Sequence, residues 1–358
     1  MRNVFFVGEL IADLVEAGMG SSQFESRFGG CSYFGCVAAA RVARHNVRDD
    51  KIHYIGPVSK DSFGDRFLDE LSDNSVSVET VVRTDRNTTL AMVVTSPGRE
   101  NGFSFYEHDT TVRDIRAEEI RLPHLPGDAE NVFVYGSVST MWPGAREVLL
   151  EHAKSVRDIG LIYFDLNARP IVLKQFPEYC ALVDRWAAVA DVVKASNFDI
   201  AAAYPGRAIR DVAAGWIEKG AKLAIVTFGN QGSWALRGAD GGKLKEYHVA
   251  CEVPLEANYT VGAGDSFNAG VCSQLFRGND LLMLRKGEYV HGSVAEALRA
   301  GNQSASLHLT ANGAYPRPAQ SRSADDPSHG PIQGGNVPLP NLTGLSEDSR
   351  PARTDLRP

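Results

Sequence analysis

Ala257-Asn258-Tyr259-Thr260-Val261-Gly262-Ala263-Gly264-Asp265-Ser266-Phe267-Asn268-Ala269-Gly270 is the stretch on which the reading of this chain turns. It begins extended and polar, passes through a Gly-Ala-Gly turn, and continues as a helix of small and apolar residues from Phe267 to Leu275. A glycine-rich turn into a helix points unpaired backbone N–H groups at the positive end of the helix dipole, where an anion binds. Asp265 stands at the mouth of that turn. A carboxylate there lies between a phosphate held by the amides and an incoming hydroxyl, an arrangement suited to phosphoryl transfer. Taken alone, the four residues would more readily read as a helix start with Asp as an ordinary cap.

Working outward, the chain before this stretch alternates strands and helices. Strands are expected at Val4–Gly8, Asn131–Gly136, Leu161–Asp165, Val192–Ala195 and Leu223–Thr227, with helices at Pro143–Ile159, Tyr179–Ala190 and Arg210–Gly220. That alternation predicts an α/β fold with a mostly parallel central sheet. Two alternating segments, Thr89–Val94 and Gly102–Tyr106, flank the turn-forming Thr95–Asn101 and predict a hairpin. Asp61 reads as a turn or cap residue ahead of a helix at Asp65–Leu71. From Ala319 the character changes. The last 40 residues hold six of the 17 prolines and no aromatic residue, the composition of a disordered tail. The boundaries expected are therefore a folded unit at 1–318 and a tail at 319–358.

Composition narrows the function classes. The chain has 358 residues, 43% of them hydrophobic, and a formal net charge of −7, which argues against nucleic acid or an anionic membrane as partner. Its five cysteines are scattered and form no CxxC pair, as expected of reduced, packed thiols. No run approaches 18 apolar residues and no basic-then-apolar leader precedes the first strand, so a cytoplasmic protein is expected.

The stretch Thr260–Gly270 resembles the C-terminal signature of the ribokinase-like (PfkB) carbohydrate kinases, usually D-T-[TV]-G-A-G-D-x-F-x-A-G. Other segments agree in order: Gly8-Glu9 with Asp13; Gly29-Gly30 opening a small-residue helix; Ile55–Gly64; Asp165-Leu166-Asn167-Ala168-Arg169; Lys194–Asp199; Thr227–Gly232; the helix Ala295–Leu309 with Asn302; and Gly313-Ala314. The resemblance implies a ribokinase-like fold carrying a small β lid, formed from about 13–28 and 88–107, that shields the reaction from water. It implies that Asp265 is the catalytic base and that Gly262, Ala263 and Gly264 form the anion hole. Asp13, Gly29, Gly30, Phe34, Asn167 and Arg169 then line the acceptor site, while Thr227, Gly229, Gly232 and Asn302 contact ATP. Asp199 supports Mg²⁺ through water. The partners implied are Mg²⁺–ATP and a small hydroxylated substrate, with a second copy of the chain meeting the first through the lid.

Two positions depart from the family pattern. Phe34 stands where a sugar-binding Asn is usual, with Tyr33 beside it, which suggests a flatter or more apolar acceptor, or one read by stacking, and makes ribose and fructose poor acceptors. Tyr259 replaces the first Asp of the signature, so the carboxylate of the family's monovalent-cation site is missing. The implied activity is an ATP-dependent kinase acting on a hydroxyl of a sugar or sugar-like molecule. A nucleoside kinase of the same fold and a catalytically degenerate binding protein are the alternatives.

Overall fold

In the computed structural model the described residues are 2–17, 20–45, 50–94, 102–127, 129–169, 172, 179–238, 242–251, 260–275, 280–287 and 291–310. The expected tail, Tyr259, Gly313-Ala314 and the Thr95–Asn101 link lie outside them.

Fourteen strands are described: β1 Arg2–Val7, β2 Ile11–Glu16, β3 Phe24–Gly29, β4 Asp50–Ile55, β5 Pro57–Ser59, β6 Val82–Thr84, β7 Thr89–Val94, β8 Gly102–Tyr106, β9 Glu130–Gly136, β10 Leu161–Asp165, β11 Val192–Ser196, β12 Leu223–Thr227, β13 Ser233–Gly238 and β14 Leu244–Val249. The described helices are α1 Cys31–His45, α2 Ser62–Asp73, α3 Pro143–Ser155, α4 Tyr179–Ala187, α5 Asn197–Ala203, α6 Ile209–Lys219, α7 Ala263–Leu275, α8 Asp280–Lys286 and α9 His291–Thr310.

Eight strands form the central sheet in the order β14-β13-β12-β11-β10-β9-β1-β4. From β12 to β4 the neighbours run parallel, and β13 and β14 add an antiparallel edge. The expected mostly parallel sheet is therefore present. Its inner strands are apolar throughout because both faces are covered. In β1 the pleat sends Phe5 and Val7 into one core with Phe133, Trp142 and Trp186, while Val4 and Phe6 enter the other with Tyr33, Phe267 and Leu298. The chain leaves β1 for β4 on one side and later returns as β9 on the other. That reversal opens a crevice at the strands' C-terminal ends, where ligands of such sheets bind.

A second sheet, β3-β2-β7-β8, stands apart from the first. Register puts Asp13 opposite Arg27 and Ala91, and Ala91 opposite Phe105, so these four share one face. Leu14, Met92 and Ser104 share the other. The two halves of the predicted lid thus form one sheet.

Asp61 has the predicted capping role and one more. Its Oδ1 accepts from the Gly64 amide at 2.8 Å at the N-terminus of α2, and its Oδ2 accepts from the Thr88 amide at 2.7 Å, just ahead of β7. One carboxylate ties a helix start to the root of the lid. Asp61→Ala is expected to cost about 2 kcal/mol, a lost cap plus an unsatisfied amide. Urea denaturation would read this as a lower midpoint at unchanged slope.

Candidate active site

The Gly-Ala-Gly turn forms because Gly262 adopts φ +84°, which side-chain-bearing residues avoid. Thr260 O accepts from Ala263 N at 3.2 Å, and Gly262 O accepts from Ser266 N at 2.9 Å and from Ser266 Oγ at 2.8 Å. The helix starts at Ala263, four residues earlier than the sequence suggested, because the turn itself supplies its first acceptors. The amides of Gly264 and Asp265 fall in the first helical turn, which has no intrahelical acceptor for them. A Cβ on Gly262 would lie 3.0 Å from both His308 and Phe34, so the turn is packed from behind. His308 is buried, and its Nε2 donates to Val261 O at 2.7 Å, anchoring the turn to α9.

Asp265 lies on the floor of a pocket of ≈ 360 Å³, open mouth included, whose walls include Asp13, Gly30, Phe34, Phe105 and Arg169. The pocket sits at the crevice between β1 and β9. Glu9 and Ser137, each just past one of those strands, are part of its wall. Asp265 is 6% exposed. Burial, and then the nearby Asp165 carboxylate, push its carboxyl up to about 8 against the opposing pull of Lys194 and Arg169. Asp13, on the inner face of the lid, is pushed up to about 7 by burial, with Arg169 opposing and Glu9 reinforcing.

Glycine is required beside Asp13, since a Cβ on Gly29 would stand 2.3 Å from Asp13 Oδ2. Glu9 is spent on structure: its Oε2 accepts from Ser139 N at 2.7 Å and its Oε1 from Cys31 N at 3.4 Å, tying the end of β1 to the start of α1. Asn167 takes φ +36°, a bend between β10 and Arg169 that asparagine tolerates. The structure therefore brings Asp13, Gly30, Phe34, Arg169 and Asp265 to one pocket, with Gly29 behind Asp13.

Tyr33 does not join them. It is fully buried, packs against Phe28 and Phe67, and donates its hydroxyl to Glu70 Oε1 at 3.2 Å. Adjacent helical residues point in different directions, so only Phe34 reaches the wall. Phe34 is itself 9% exposed and meets His308 edge-on. Phe34 therefore contributes an apolar wall to the pocket, and Tyr33, expected beside it, does not line the pocket.

A second group of expected residues gathers at the end of β12. Thr227 ends that strand, a single 3₁₀ turn covers Gly229–Gln231, and Gly232 packs so tightly that a Cβ would meet Val249 O at 2.2 Å. Asn302 donates its amide to the same Val249 carbonyl at 3.1 Å. Gly232 and Asn302 thus converge on the end of β14. Asp199 closes a capping box at α5: its Oδ2 accepts from Ser196 N and Oγ at 2.6 and 2.7 Å, and its Oδ1 accepts from Ala168 N at 2.8 Å. With both oxygens engaged, it fits a metal ion only through intervening water.

Against this geometry stand the comparisons with known proteins. The sequence model of the pfkB family carbohydrate kinases matches residues 1–321. The chain belongs to the pfkB carbohydrate kinase family. Among PfkB relatives, a fructokinase of Rhizobium leguminosarum bv. trifolii is 29% identical over 277 residues, covering 75% of this chain and 78% of the relative. An aminoimidazole riboside kinase of Salmonella typhimurium is 27% identical over 319 residues, covering 88% and 91%. The crystal structure of the Vibrio cholerae O395 fructokinase with fructose, ADP and calcium superposes with a TM-score of 0.73 at 20% identity, covering 88% of this chain and 96% of that one. That likeness shows the ribokinase-like fold. The chain is thus a member of a family of ATP-dependent sugar and nucleoside kinases, and among its described residues no helix is long and apolar enough to cross a membrane.

Several residues of this PfkB site were not singled out from sequence. Glu9, Phe105 and Cys31 line the pocket, and Lys194 and Asp165 lie buried beneath it. Lys194 and Asp165 were visible as charged residues at the C-terminal ends of apolar strands, a position where such sheets place functional groups. His308 had no sequence signal.

Proposed function

We propose that this protein is an ATP-dependent kinase that phosphorylates a hydroxyl of a sugar or sugar-like small molecule. The observation that carries the proposal is the position of Asp265, in the first turn of α7 and lining one pocket with Asp13 and Arg169. Asp13 orients the acceptor from the lid, and Asp265 takes the proton of the hydroxyl that attacks. Of the expected anion-hole residues Gly262, Ala263 and Gly264, Ala263 has its amide engaged by Thr260 O, so the amides of Gly264 and Asp265 stabilise charge on the transferring group, and Arg169 offsets the phosphate charge from the pocket wall. Asp199 would hold Mg²⁺ through water, and the ion, bound with the nucleotide phosphates, would supply charge neutralisation there. Thr227, Gly229, Gly232 and Asn302 form the nucleotide side.

A nucleoside acceptor is a second reading, favoured by the two phenylalanines, Phe34 and Phe105, in the pocket wall and by the aminoimidazole riboside kinase among the relatives. The proposal extends to a homodimer through the lid, whose outer face carries the exposed Phe24, Val94 and Tyr106. Light scattering on the purified chain would test that part.

The deciding experiment incubates the protein with ATP and, separately, fructose, ribose and aminoimidazole riboside, following ADP release and phosphorylated product by mass spectrometry. Acceptor-dependent ADP with matching product is expected for at least one. ATP binding with no phosphorylated product from any sugar or nucleoside would favour the binding-protein alternative.

A further inference from the structure

Beneath the anion turn lies a charged group that the reading above leaves without a role. Lys194 is on β11, 3% exposed, and its Nζ donates to Asp165 Oδ2 at 3.0 Å. Asn268 Nδ2, from α7, donates to the same oxygen at 2.6 Å and is itself held by Tyr163 OH at 3.0 Å. Asp165 is 2% exposed and its Oδ1 has no hydrogen-bond partner among the described residues. The ammonium abuts the turn: a Cβ on Gly264 would stand 3.2 Å from it.

A positive charge beneath a helix N-terminus is unfavourable for the helix, since the dipole there is also positive. Burying an ammonium carries a further desolvation cost, which a single carboxylate offsets only in part. Stability alone therefore gives little reason for Lys194. Its position is favourable once an anion arrives on the other side of Gly264, because in a dry site a fixed charge acts strongly and needs no reorganisation.

We propose that Lys194 is a positioning residue for phosphoryl transfer, its ammonium held against Gly264 by Asp165, which Asn268 fixes in turn, as the fixed cation of the anion turn. The proposal rests on the kinase reading. The charged groups facing Asp265 are Asp165, Lys194, Arg169 and Glu9, from the ends of β10, β11 and β1 and the loop after β10. Lys194 favours the ionised form of Asp265 and Asp165 opposes it. Changing the two should therefore move the base in opposite directions.

The test compares Lys194→Met, Asp165→Asn and the double variant with wild type, each checked for folding by circular dichroism and for ATP-analogue binding by calorimetry. Lys194→Met is expected to lower kcat by about 10²-fold, with a much smaller change in ATP affinity, the scale for losing one preorganised group of an anion hole. The rising limb of its kcat/KM–pH profile should move to higher pH by about one unit, and that of Asp165→Asn to lower pH. Should Lys194→Met not fold because Asp165 is left unpaired, the double variant removes both charges and leaves no buried ion uncompensated. It should fold and remain slow.

Near-wild-type kcat in a folded variant lacking Lys194 would overturn the proposal, as would a loss of kcat with the pH limb unmoved in both single variants. A wild-type protein inactive on every acceptor would instead overturn the kinase reading on which it rests.

Discussion

Asp265→Asn is expected to fold, bind ATP and lose at least about 10²-fold in kcat, the usual scale for a general base. Asn keeps the shape of the side chain and loses its ability to take a proton, so KM for either substrate should change little by comparison. The same substitution should alter stability in a direction that a structural cap would not. In the folded chain the carboxyl of Asp265 is held at about 8, against 3.8 for an unperturbed aspartate. The folded state thus keeps a proton that the unfolded state has released. The stability this supplies is fully present below the unfolded value and is lost as pH rises through the folded one. At about pH 9 the ionised wild-type side chain is buried at a cost that Asn does not carry, so Asp265→Asn should melt higher than wild type there. A variant that turns over normally would remove Asp265 from the mechanism.

Gly262→Ala is expected to be the other severe change. The position has φ +84°, where an added Cβ costs about 1–2 kcal/mol. That Cβ would also lie 3.0 Å from His308 and Phe34, which are packed against each other and have little room to retreat. The turn must shift, and the amides of Gly264 and Asp265 shift with it. Misplacing one such donor costs about 10²–10³ in kcat. The loss should fall mainly on kcat and be accompanied by a lower Tm. Turnover within a few-fold of wild type would show that the turn's shape is not what stabilises the transferring group.

Much of this site was legible in the sequence because its central pieces are contiguous. Gly262, Gly264 and Asp265 lie within one turn, so spacing alone placed amides and carboxylate together. Asp61 was legible for the same reason: its cap partner, Gly64, is three residues away. The parallel sheet was readable from apolar strands such as Leu161–Asp165, buried along their whole length. What was not legible depends on contacts between distant segments. Lys194 meets an aspartate 29 positions away, and His308 reaches a carbonyl 47 positions away. Neither pairing has a local pattern. Tyr33 adjoins Phe34 in sequence but not at the site, because neighbouring residues on a helix face different ways. Nor does the sequence show that the Asn302 amide reaches the carbonyls of Val249 and Ala250 at the end of β14, more than 50 positions away.

The most direct test of the claim that Asp265 is a buried general base is the pH dependence of kcat/KM, which reports the titration of essential groups in the free enzyme. Deprotonated Asp265 is the competent form, so the rate constant should rise with pH and reach half its plateau near about 8, where burial and Asp165 hold that carboxyl. In Asp265→Asn that limb should vanish. A profile flat from about pH 5.5 to 9 would mean that the base ionises as an ordinary carboxylate, and a limb that survives in Asp265→Asn would mean that another group takes the proton.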